Sequence, residues 1–402
     1  MKKLLWIGQS ATATTGLGKS TRYILQGLKN KFKIFNAGYN FEPRNINALG
    51  IDYEISGLDL NGSTDPNELS RQVVSKINEI KPDITVFFGD IRYFLYLPSI
   101  VKDIHDTILV GYITVDCCNL PMSWLATIGT FDHIITTSKF ASDEIKLKFD
   151  RECPYVYLGY NPKFFNRENK KCLPGLEDKQ LVAIRVDRNQ SRKNWPATLD
   201  LWNRWSADKN VNLIFHTVHE SEEQSTANLK EYMGNLMNFR AKATSSTSYL
   251  LSEELFSGLL KTAEIFLTTT MGEGFGLTIL ESAACGIPSI GIDFSASGEL
   301  LRCGAGIAIP PAAFFANQEG VKMALPNINE FMQQLDNVYS DKRFLKELSD
   351  KAYEWSKKFM WENTTEKLID ELDRDNLKTS ILKVSVISTR GQEENLNIER
   401  VI

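Results

Sequence analysis

A glycine-rich segment with two glutamates, TTTMGEGFGLTILESAACGIPSIGID at residues 268–293, holds the residue types most suited to chemistry. The apolar strand before it gives way to a run in which every second residue is glycine. A helix is predicted from Leu277, with an apolar inner face and a stop at Gly286. Glu273 lies in the loop before this helix, and Glu281 lies about one turn inside it.

This arrangement suits a diphosphate ligand. The start of a helix presents unpaired N–H groups and a partial positive charge, and the glycines let a ligand approach the backbone closely. The two carboxylates are eight positions apart. With a diphosphate on the helix start, they are expected to reach groups on opposite sides of it, one binding ribose hydroxyls and the other a sugar.

A second glycine segment, ATATTGLGKS at residues 11–20, follows the apolar start MKKLLWIG. Its last eight residues fit a relaxed phosphate-loop pattern, with alanine in place of the first glycine. The strand ITVFFGD, which ends at Asp90, offers an acid for a magnesium ion. Ala13, however, lies five residues beyond Gly8, whereas the first Gly or Ala of a phosphate loop comes at the strand end. The spacing therefore argues against an ATP site.

Length and composition limit the remaining possibilities. The 402 residues suffice for two domains, and 24% charged with 43% hydrophobic residues is typical of a soluble globular protein. The net charge of −4 gives no overall field to recruit nucleic acid. Six cysteines without metal-ligand spacing indicate reduced thiols and a cytoplasmic location. No apolar run approaches the roughly 20 residues that span a bilayer, although peripheral contact with a membrane stays open.

Short apolar strands alternate with amphipathic helices along most of the chain, which is typical of parallel sheets covered on both faces. In the first half, strands are predicted at 4–8, 32–37, 84–89, 108–115, 133–137 and 155–159, with helices at 20–30 and 68–80. After a polar linker at 161–180, strands are predicted at 181–186, 212–218, 264–269 and 288–293, with helices at 195–205 and from 277. The pattern predicts two doubly wound α/β domains with a cleft between them, and functional residues in loops just after strands.

The glutamate segment EGFGLTILESAACGIP resembles the paired-glutamate motif of retaining GT-B glycosyltransferases of glycosyltransferase family 4. Supporting segments occur in the order expected for that family. They are Thr15-Gly16-Leu17-Gly18, GYITVDCCNLPMSW (111–124), IITTSKFASDEI (134–145), DRNQSRKNW (187–195) and SYLLSEELFSGLLKTAEIFLTTT (248–270). The resemblance covers roughly residues 4–365.

The resemblance implies a GT-B fold, in which two Rossmann-like doubly wound domains face each other across a cleft. The N-terminal, acceptor-side domain is expected at residues 1–170, completed by a C-terminal helix at 356–402. The nucleotide-sugar-binding domain is expected at residues 171–355.

The family also implies a role for each matching residue. Arg188 and Lys193 would neutralise the diphosphate of a nucleotide-sugar donor, Glu281 would hold the ribose hydroxyls, and Glu273 would contact the sugar ring. The expected catalytic residues are Glu273, Asp116, Arg188 and Lys193. The expected donor-binding residues are Gly16, Gly18, Arg188, Lys193, Tyr249, Leu251, Gly274, Phe275, Gly276, Leu277, Thr278 and Glu281.

Asp116 departs from the family pattern. At the end of this first-domain strand, many family members carry a histidine that touches the donor sugar. An aspartate still accepts a hydrogen bond from a sugar hydroxyl, but a cationic role is lost. The departure bears on the identity of the sugar more than on the class of reaction.

The activity implied is that of a retaining, metal-independent hexosyltransferase that takes a UDP- or GDP-sugar and an acceptor hydroxyl that the sequence does not identify. No other cofactor is expected. The only Asp-x-Asp, Asp373-Arg374-Asp375, lies in the charged C-terminal region, whereas metal-dependent GT-A transferases need this motif at a strand end. Two alternatives stay open: a P-loop NTPase that uses Gly16-Leu17-Gly18-Lys19-Ser20, and a non-catalytic nucleotide-sugar-binding protein.

Overall fold

A computed structural model gives the fold and describes residues 1–59, 67–168, 176, 178–217, 227–236, 243–246, 251–373, 383–387 and 393–397. The chain divides into two compact units. Unit 1 consists of Met1–Val115, Leu120–Tyr157 and Trp361–Ile402. Unit 2 consists of Asp116–Asn119 and Leu158–Met360.

Unit 1 contains a parallel sheet with helices on the connections. Its strands are β1 (Lys3–Gln9), β2 (Lys33–Tyr39), β3 (Glu54–Gly57), β4 (Ile84–Asp90), β5 (Ile108–Thr114) and β6 (His133–Thr136). Its first helices are α1 (Gly16–Leu28), α2 (Asn45–Ala48), α3 (Glu68–Ile80), α4 (Leu97–Ile100), α5 (Leu125–Thr130) and α6 (Lys139–Phe149), with 3₁₀ turns at Ile91–Phe94, Val101–Asp103 and Met122–Trp124. The strand order is β3-β2-β1-β4-β5-β6, and every pairing is parallel.

Unit 2 repeats this plan. Its main strands are β7 (Leu181–Val186), β8 (Val211–His216), β9 (Ala243–Ser246), β10 (Ile265–Leu267), β11 (Ser289–Ile292) and β12 (Gly306–Ile309), and β13 (Ala313–Ala316) and β14 (Lys322–Leu325) form an antiparallel hairpin. Its helices are α7 (Trp195–Trp205), α8 (Leu229–Asn235), α9 (Glu253–Leu260), α10 (Leu277–Ala284), α11 (Ser295–Leu300), α12 (Ile328–Ser340) and α13 (Lys342–Ser356), with a 3₁₀ turn at Ser191–Lys193 and a π turn at Leu301–Ala305. The parallel sheet has the order β12-β11-β10-β7-β8-β9.

Both sheets have the doubly wound order 3-2-1-4-5-6 when strands are counted within each unit. This confirms the prediction of two Rossmann-like α/β domains. In such a sheet the chain changes direction beside its first strand, and ligands bind at the carboxyl ends of the two strands that flank this point. The flanking strands are β1 and β4 in unit 1, and β7 and β10 in unit 2.

Aromatic side chains fill the two cores. In unit 1, Trp6 of β1 is completely buried, and its ring lies 5.2 Å from that of Phe88 and 6.3 Å from that of Tyr112. In unit 2, α7 buries Trp195 and Trp202 against the sheet. These rings pack the central strands against their neighbours.

The last described helix, α14 (Trp361–Leu372), belongs to unit 1 and packs on α1. The ring of Trp361 stacks on that of Tyr23 at 5.4 Å. A Cβ atom at Gly27 would come within 2.3 Å of the Thr365 side chain, so only glycine allows this approach of the two helices. Two further strands, β15 (Lys383–Ile387) and β16 (Glu393–Asn397), pair antiparallel.

Some predicted elements differ from the structure. The strand predicted at 155–159 is wrong, because this stretch makes only an isolated bridge between Thr136 and Tyr155. The edge strands β3, β9 and β12 were not predicted, and β3 shows why: its four residues are exposed or half-buried and form no apolar run. No helix in the described ranges is both long and apolar enough to span a bilayer.

Candidate active site

The helix predicted from Leu277 is present as α10, at the carboxyl end of β10. Gly276 begins it with a φ of +101°, a conformation that favours glycine. The first hydrogen bonds back to the Gly276 carbonyl come from Ile279 and Leu280. No acceptor in the described part of the chain takes the N–H groups of Leu277 and Thr278, which therefore can bind an anion together with the helix dipole.

Glu273 lies in the loop before α10, with its carboxylate between two cations. Lys193 Nζ donates to Oε1, which also accepts from Thr270 Oγ1 at 3.3 Å. Arg192 lies 3.4 Å from Oε2. Burial of this side chain, 13% exposed, would raise the pKa of Glu273, but Lys193 and Arg192 outweigh it and hold the pKa at about 2. Glu273 is therefore ionised at neutral pH.

The backbone of Glu273 is fixed as well. Its N–H donates to Ser295 Oγ at 2.8 Å, and its carbonyl accepts from the N–H of Ala296 at 3.3 Å. Ser295 has a φ of +54°, a left-handed conformation that a serine adopts only when its surroundings impose it. The start of α11 thus holds the backbone of the glutamate loop, whereas the two cations hold the Glu273 side chain.

Lys193 is held by a second carboxylate from the end of β7. Its Nζ lies 2.7 Å from Asp187 Oδ1. The other oxygen of Asp187 lies 3.2 Å from the guanidinium of Arg185, a side chain with no exposed surface. Arg185 also donates to Thr269 Oγ1 at 3.0 Å and lies 4.3 Å from the centre of the Trp195 ring. These contacts satisfy a charge that would be costly to bury alone.

Arg192, the second cation beside Glu273, also contacts the carboxylate of Asp116. Arg192 Nε lies 3.4 Å from Asp116 Oδ2, and its NH1 donates to the Gly272 carbonyl at 2.9 Å. Six side chains therefore alternate in sign along one connected path, which we call the charge chain. Its members are, in order, Arg185, Asp187, Lys193, Glu273, Arg192 and Asp116. Their formal charges cancel.

Other residues expected at the site have varied surroundings. Arg188 is exposed, and its carbonyl accepts from the Trp195 indole at 3.1 Å. Glu281 lies inside α10 and is only 2% exposed. Phe275 is buried, whereas Gly274, Leu277, Thr278 and Leu251 are half-buried. Tyr249 lies outside the described residues.

In the glycine loop after β1, the N–H and hydroxyl groups that would bind phosphate and magnesium in a phosphate loop already make hydrogen bonds within the protein. Thr15 caps α1: its Oγ1 accepts from the N–H of Gly18 at 3.0 Å, and its carbonyl accepts from the N–H of Lys19 at 2.9 Å. Ser20 Oγ donates to the carbonyl of Gly16 at 2.9 Å. A Cβ at Gly18 would lie 2.5 Å from a backbone oxygen of the preceding loop. Gly16 is exposed, and Gly18 is required for packing.

The sequence reasoning did not single out Arg185, Asp187, Arg192 or Ser295. One signal was available for Arg185, which stands in the otherwise apolar strand LVAIRV. A cation in a strand buried on both faces needs a buried partner, and Asp187 is the nearest acid in sequence. No comparable signal marks Ser295, because its role depends on a contact with a loop 22 residues away.

The described residues show no group of three or more His, Cys, Asp or Glu side chains able to hold a metal ion. Asp373 follows the end of α14, and Arg374 and Asp375 lie outside the described residues. None of the five described cysteines forms a disulfide bond.

Comparison with known proteins locates a family domain in unit 2. The family model described as Glycosyl transferases group 1 matches residues 186–340, which include most of the charge chain and α10. Serotype-specific mannosyltransferase WbdA of Escherichia coli is 24% identical over 155 residues, which are 39% of this chain and 16% of WbdA. The chain thus spans a small part of the length of the curated relatives that it matches.

Solved structures share the fold of most of the chain, beyond the part matched by the family model. The crystal structure of Anabaena Alr3699/HepE in complex with UDP and glucose aligns with a TM-score of 0.72 and 15% identity, covering 92% of this chain and 99% of that one. Sucrose-phosphate synthase (tll1590) from Thermosynechococcus elongatus aligns with a TM-score of 0.72 and 12% identity, covering 92% and 98%. These similarities confirm the GT-B fold.

Proposed function

We propose that this chain, a glycosyltransferase by its group 1 domain, transfers a hexose-type sugar from a nucleoside-diphosphate sugar to an acceptor hydroxyl. The transfer proceeds with retention of configuration and without a metal ion. The observation that carries the proposal is the ionised carboxylate of Glu273, held by Lys193 and Arg192 in the loop that leads into α10.

In this proposal, the donor diphosphate lies at the start of α10. The N–H groups of Leu277 and Thr278 and the helix dipole bind its oxygens. Lys193 lies beside the same loop, and the exposed Arg188 can move to a ligand. Glu281, buried in α10, binds the ribose hydroxyls. A UDP- or GDP-sugar is the expected donor, and the UDP bound by Anabaena Alr3699/HepE makes UDP-sugars the first to test.

Several donor contacts are proposed on the family resemblance alone. Leu251 and Tyr249 lie near the nucleobase, and Gly16 and Gly18 of unit 1 approach the diphosphate and the sugar. Gly274, Phe275 and Gly276 shape the loop around the phosphates. Glu273, Arg188 and Lys193 are proposed as catalytic residues, and Asp116 is proposed to act beside them at the sugar end of the donor.

The charges fit a same-face displacement. The bond between the anomeric carbon and the diphosphate oxygen breaks, the acceptor oxygen bonds to that carbon from the same face, and the leaving phosphate takes the hydroxyl proton. Negative charge grows on the diphosphate, where the helix start stabilises it and where the family resemblance places Arg188 and Lys193. Positive charge grows on the sugar ring, where the anionic Glu273 is favourable. No separate general base and no metal are needed for this balance.

The NTPase alternative is weaker. A phosphate loop binds phosphate through backbone N–H groups, and those of Gly18 and Lys19 are already bonded to Thr15. The hydroxyl of Ser20, the magnesium ligand of such loops, donates to its own helix. Substitution Lys19→Ala is therefore expected to leave sugar transfer unchanged.

A thermal-unfolding screen of UDP-, GDP-, ADP- and TDP-sugars tests the donor. A donor at 100 times its Kd should stabilise the fold by about 2.7 kcal/mol, with EDTA present. Stabilisation by ATP with magnesium, and by no nucleotide sugar, would overturn the proposal. Stabilisation that EDTA abolishes would overturn metal independence.

Turnover of the donor identified tests the mechanism. Glu273→Gln should lower turnover about 100-fold and change the Kd of the nucleoside diphosphate much less, because it removes charge at the sugar end. Glu254→Gln, at an exposed position of α9, is the matched control. Proton NMR of the first-formed product should show the donor's anomeric configuration. An inverted product, or binding without any turnover, would contradict the mechanism.

A further inference from the structure

The chain after β5 continues into a short segment, Asp116–Asn119, that packs within unit 2. Cys118 and Lys322 exchange two backbone hydrogen bonds of 3.2 and 2.9 Å, so the segment adds to the β13–β14 hairpin. Gly272 of the glutamate loop lies directly against it: a Cβ there would come within 2.0 Å of the Asp116 carbonyl oxygen. The backbone of Asp116 is therefore fixed relative to the glutamate loop.

The side chain of Asp116 points to Arg192. Asp116 is 5% exposed, and its Oδ2 lies 3.4 Å from Arg192 Nε. The same guanidinium donates to the Gly272 carbonyl at 2.9 Å and lies 3.4 Å from Glu273 Oε2. Its side chain stays 32% exposed, so a ligand that reaches Glu273 also reaches Arg192.

We infer that Asp116 is a positioning residue that acts through Arg192. Its carboxylate holds the guanidinium beside Glu273 and offsets its charge, so that Arg192 meets the sugar of the donor rather than the diphosphate. This inference rests on the proposed function. It gives Asp116 an indirect role, through Arg192, in place of a direct contact with the sugar. Arg192, placed between two carboxylates, becomes a residue that selects the sugar.

The physical reason lies in the length and charge of arginine. A guanidinium on a flexible chain binds phosphate oxygens strongly and in pairs. With Asp116 present, two carboxylates compete with the diphosphate for Arg192. Without it, one carboxylate remains, the site gains one positive charge, and the guanidinium can turn toward the diphosphate.

A double-mutant cycle with Asp116→Asn and Arg192→Gln tests this. Calorimetry with the free nucleoside diphosphate should show about fivefold tighter binding for Asp116→Asn, while turnover falls about tenfold. Adding Asp116→Asn to Arg192→Gln should change neither quantity further. Asp116→Glu should restore most of the turnover, and Asp143→Asn, at an exposed ion pair of α6, is the control.

Two results would overturn the inference. One is unchanged diphosphate affinity with weaker binding of the intact nucleotide sugar, which indicates a direct contact between Asp116 and the sugar. The other is an effect of Asp116→Asn that persists in the Arg192→Gln background. A wild-type chain that binds no nucleotide sugar would instead overturn the proposed function.

Thermal unfolding of each variant separates these effects from loss of fold. If Asp116→Asn does not fold, Arg192→Gln carries the test alone. It should weaken binding of the nucleotide sugar more than binding of the nucleoside diphosphate. Equal weakening of both would overturn the inference.

Discussion

Replacing Ser295 removes the hydrogen bond that holds the peptide N–H of Glu273, and two substitutions separate this bond from backbone strain. Ser295→Ala deletes the hydroxyl but keeps a side chain at a φ of +54°. Ser295→Gly deletes the same hydroxyl and relieves the left-handed conformation. Both leave the glutamate loop less restrained, so both should lower turnover to a similar extent, about tenfold.

The two variants should differ in stability. Loss of the bond leaves a half-buried N–H without its acceptor and costs about 1 kcal/mol in each variant. Ser295→Ala keeps the strain of the positive φ, whereas Ser295→Gly removes about 1 kcal/mol of it. The glycine variant should therefore unfold about 2–4 °C higher than the alanine variant in a unit of this size.

Thermal unfolding followed by circular dichroism measures the difference in stability, and hydrolysis or transfer of the donor measures the loss of turnover that the two variants share. Equal unfolding temperatures would show that Ser295 is not strained. Full turnover by both variants would show that the bond to Glu273 does not position the carboxylate. Either result refutes the reasoning for that part of the site.

Three further predictions follow from other contacts. Gly272→Ala should destabilise the fold by about 2–4 kcal/mol, because its Cβ would meet the Asp116 carbonyl at 2.0 Å; Gly234→Ala, a helix position with open space, should be neutral or stabilising in the same denaturant titration. The ionised Glu273 carboxylate stabilises the folded state, because its pKa is lowered from 4.5 to about 2. This contribution is complete above pH 4.5 and is lost toward pH 2. The unfolding free energy of the wild type should therefore exceed that of Glu273→Gln by less and less as the pH falls over that range. Arg185→Met should cost about 3 kcal/mol, because the buried Asp187 carboxylate loses one of its two cations and keeps only Lys193; a loss below 1 kcal/mol in urea titration would contradict this.

The parts of the site that the sequence predicted are those formed by residues close together in the chain. Strand, glycine loop and helix follow one another from Ile265 to Ala284, and local rules for helix starts and glycines apply directly to such a unit. The doubly wound fold was predictable for the same reason, because alternation of apolar strands and amphipathic helices is a local pattern.

Contacts between distant segments were not predictable in this way. The Asp116 carboxylate meets Arg192, which is 76 positions later, only because the segment after β5 pairs with Lys322. The family resemblance assigns Arg188 to the diphosphate, whereas Arg192 is the arginine that lies beside Glu273 in the structure. Both arginines follow β7, and spacing alone does not say which one faces the glutamate loop.

The return of α14 to unit 1 has a consequence for the order in which the chain is completed on the ribosome. Tyr23 and Gly27 of α1 receive Trp361 and Thr365 as neighbours, but the intervening stretch 158–360 is synthesised first. Domains generally fold as units during synthesis, starting from the N-terminus. Unit 1 therefore begins to fold first and is completed last. Until α14 leaves the ribosomal tunnel, the face of α1 that carries Tyr23 and Gly27 stays accessible to chaperones.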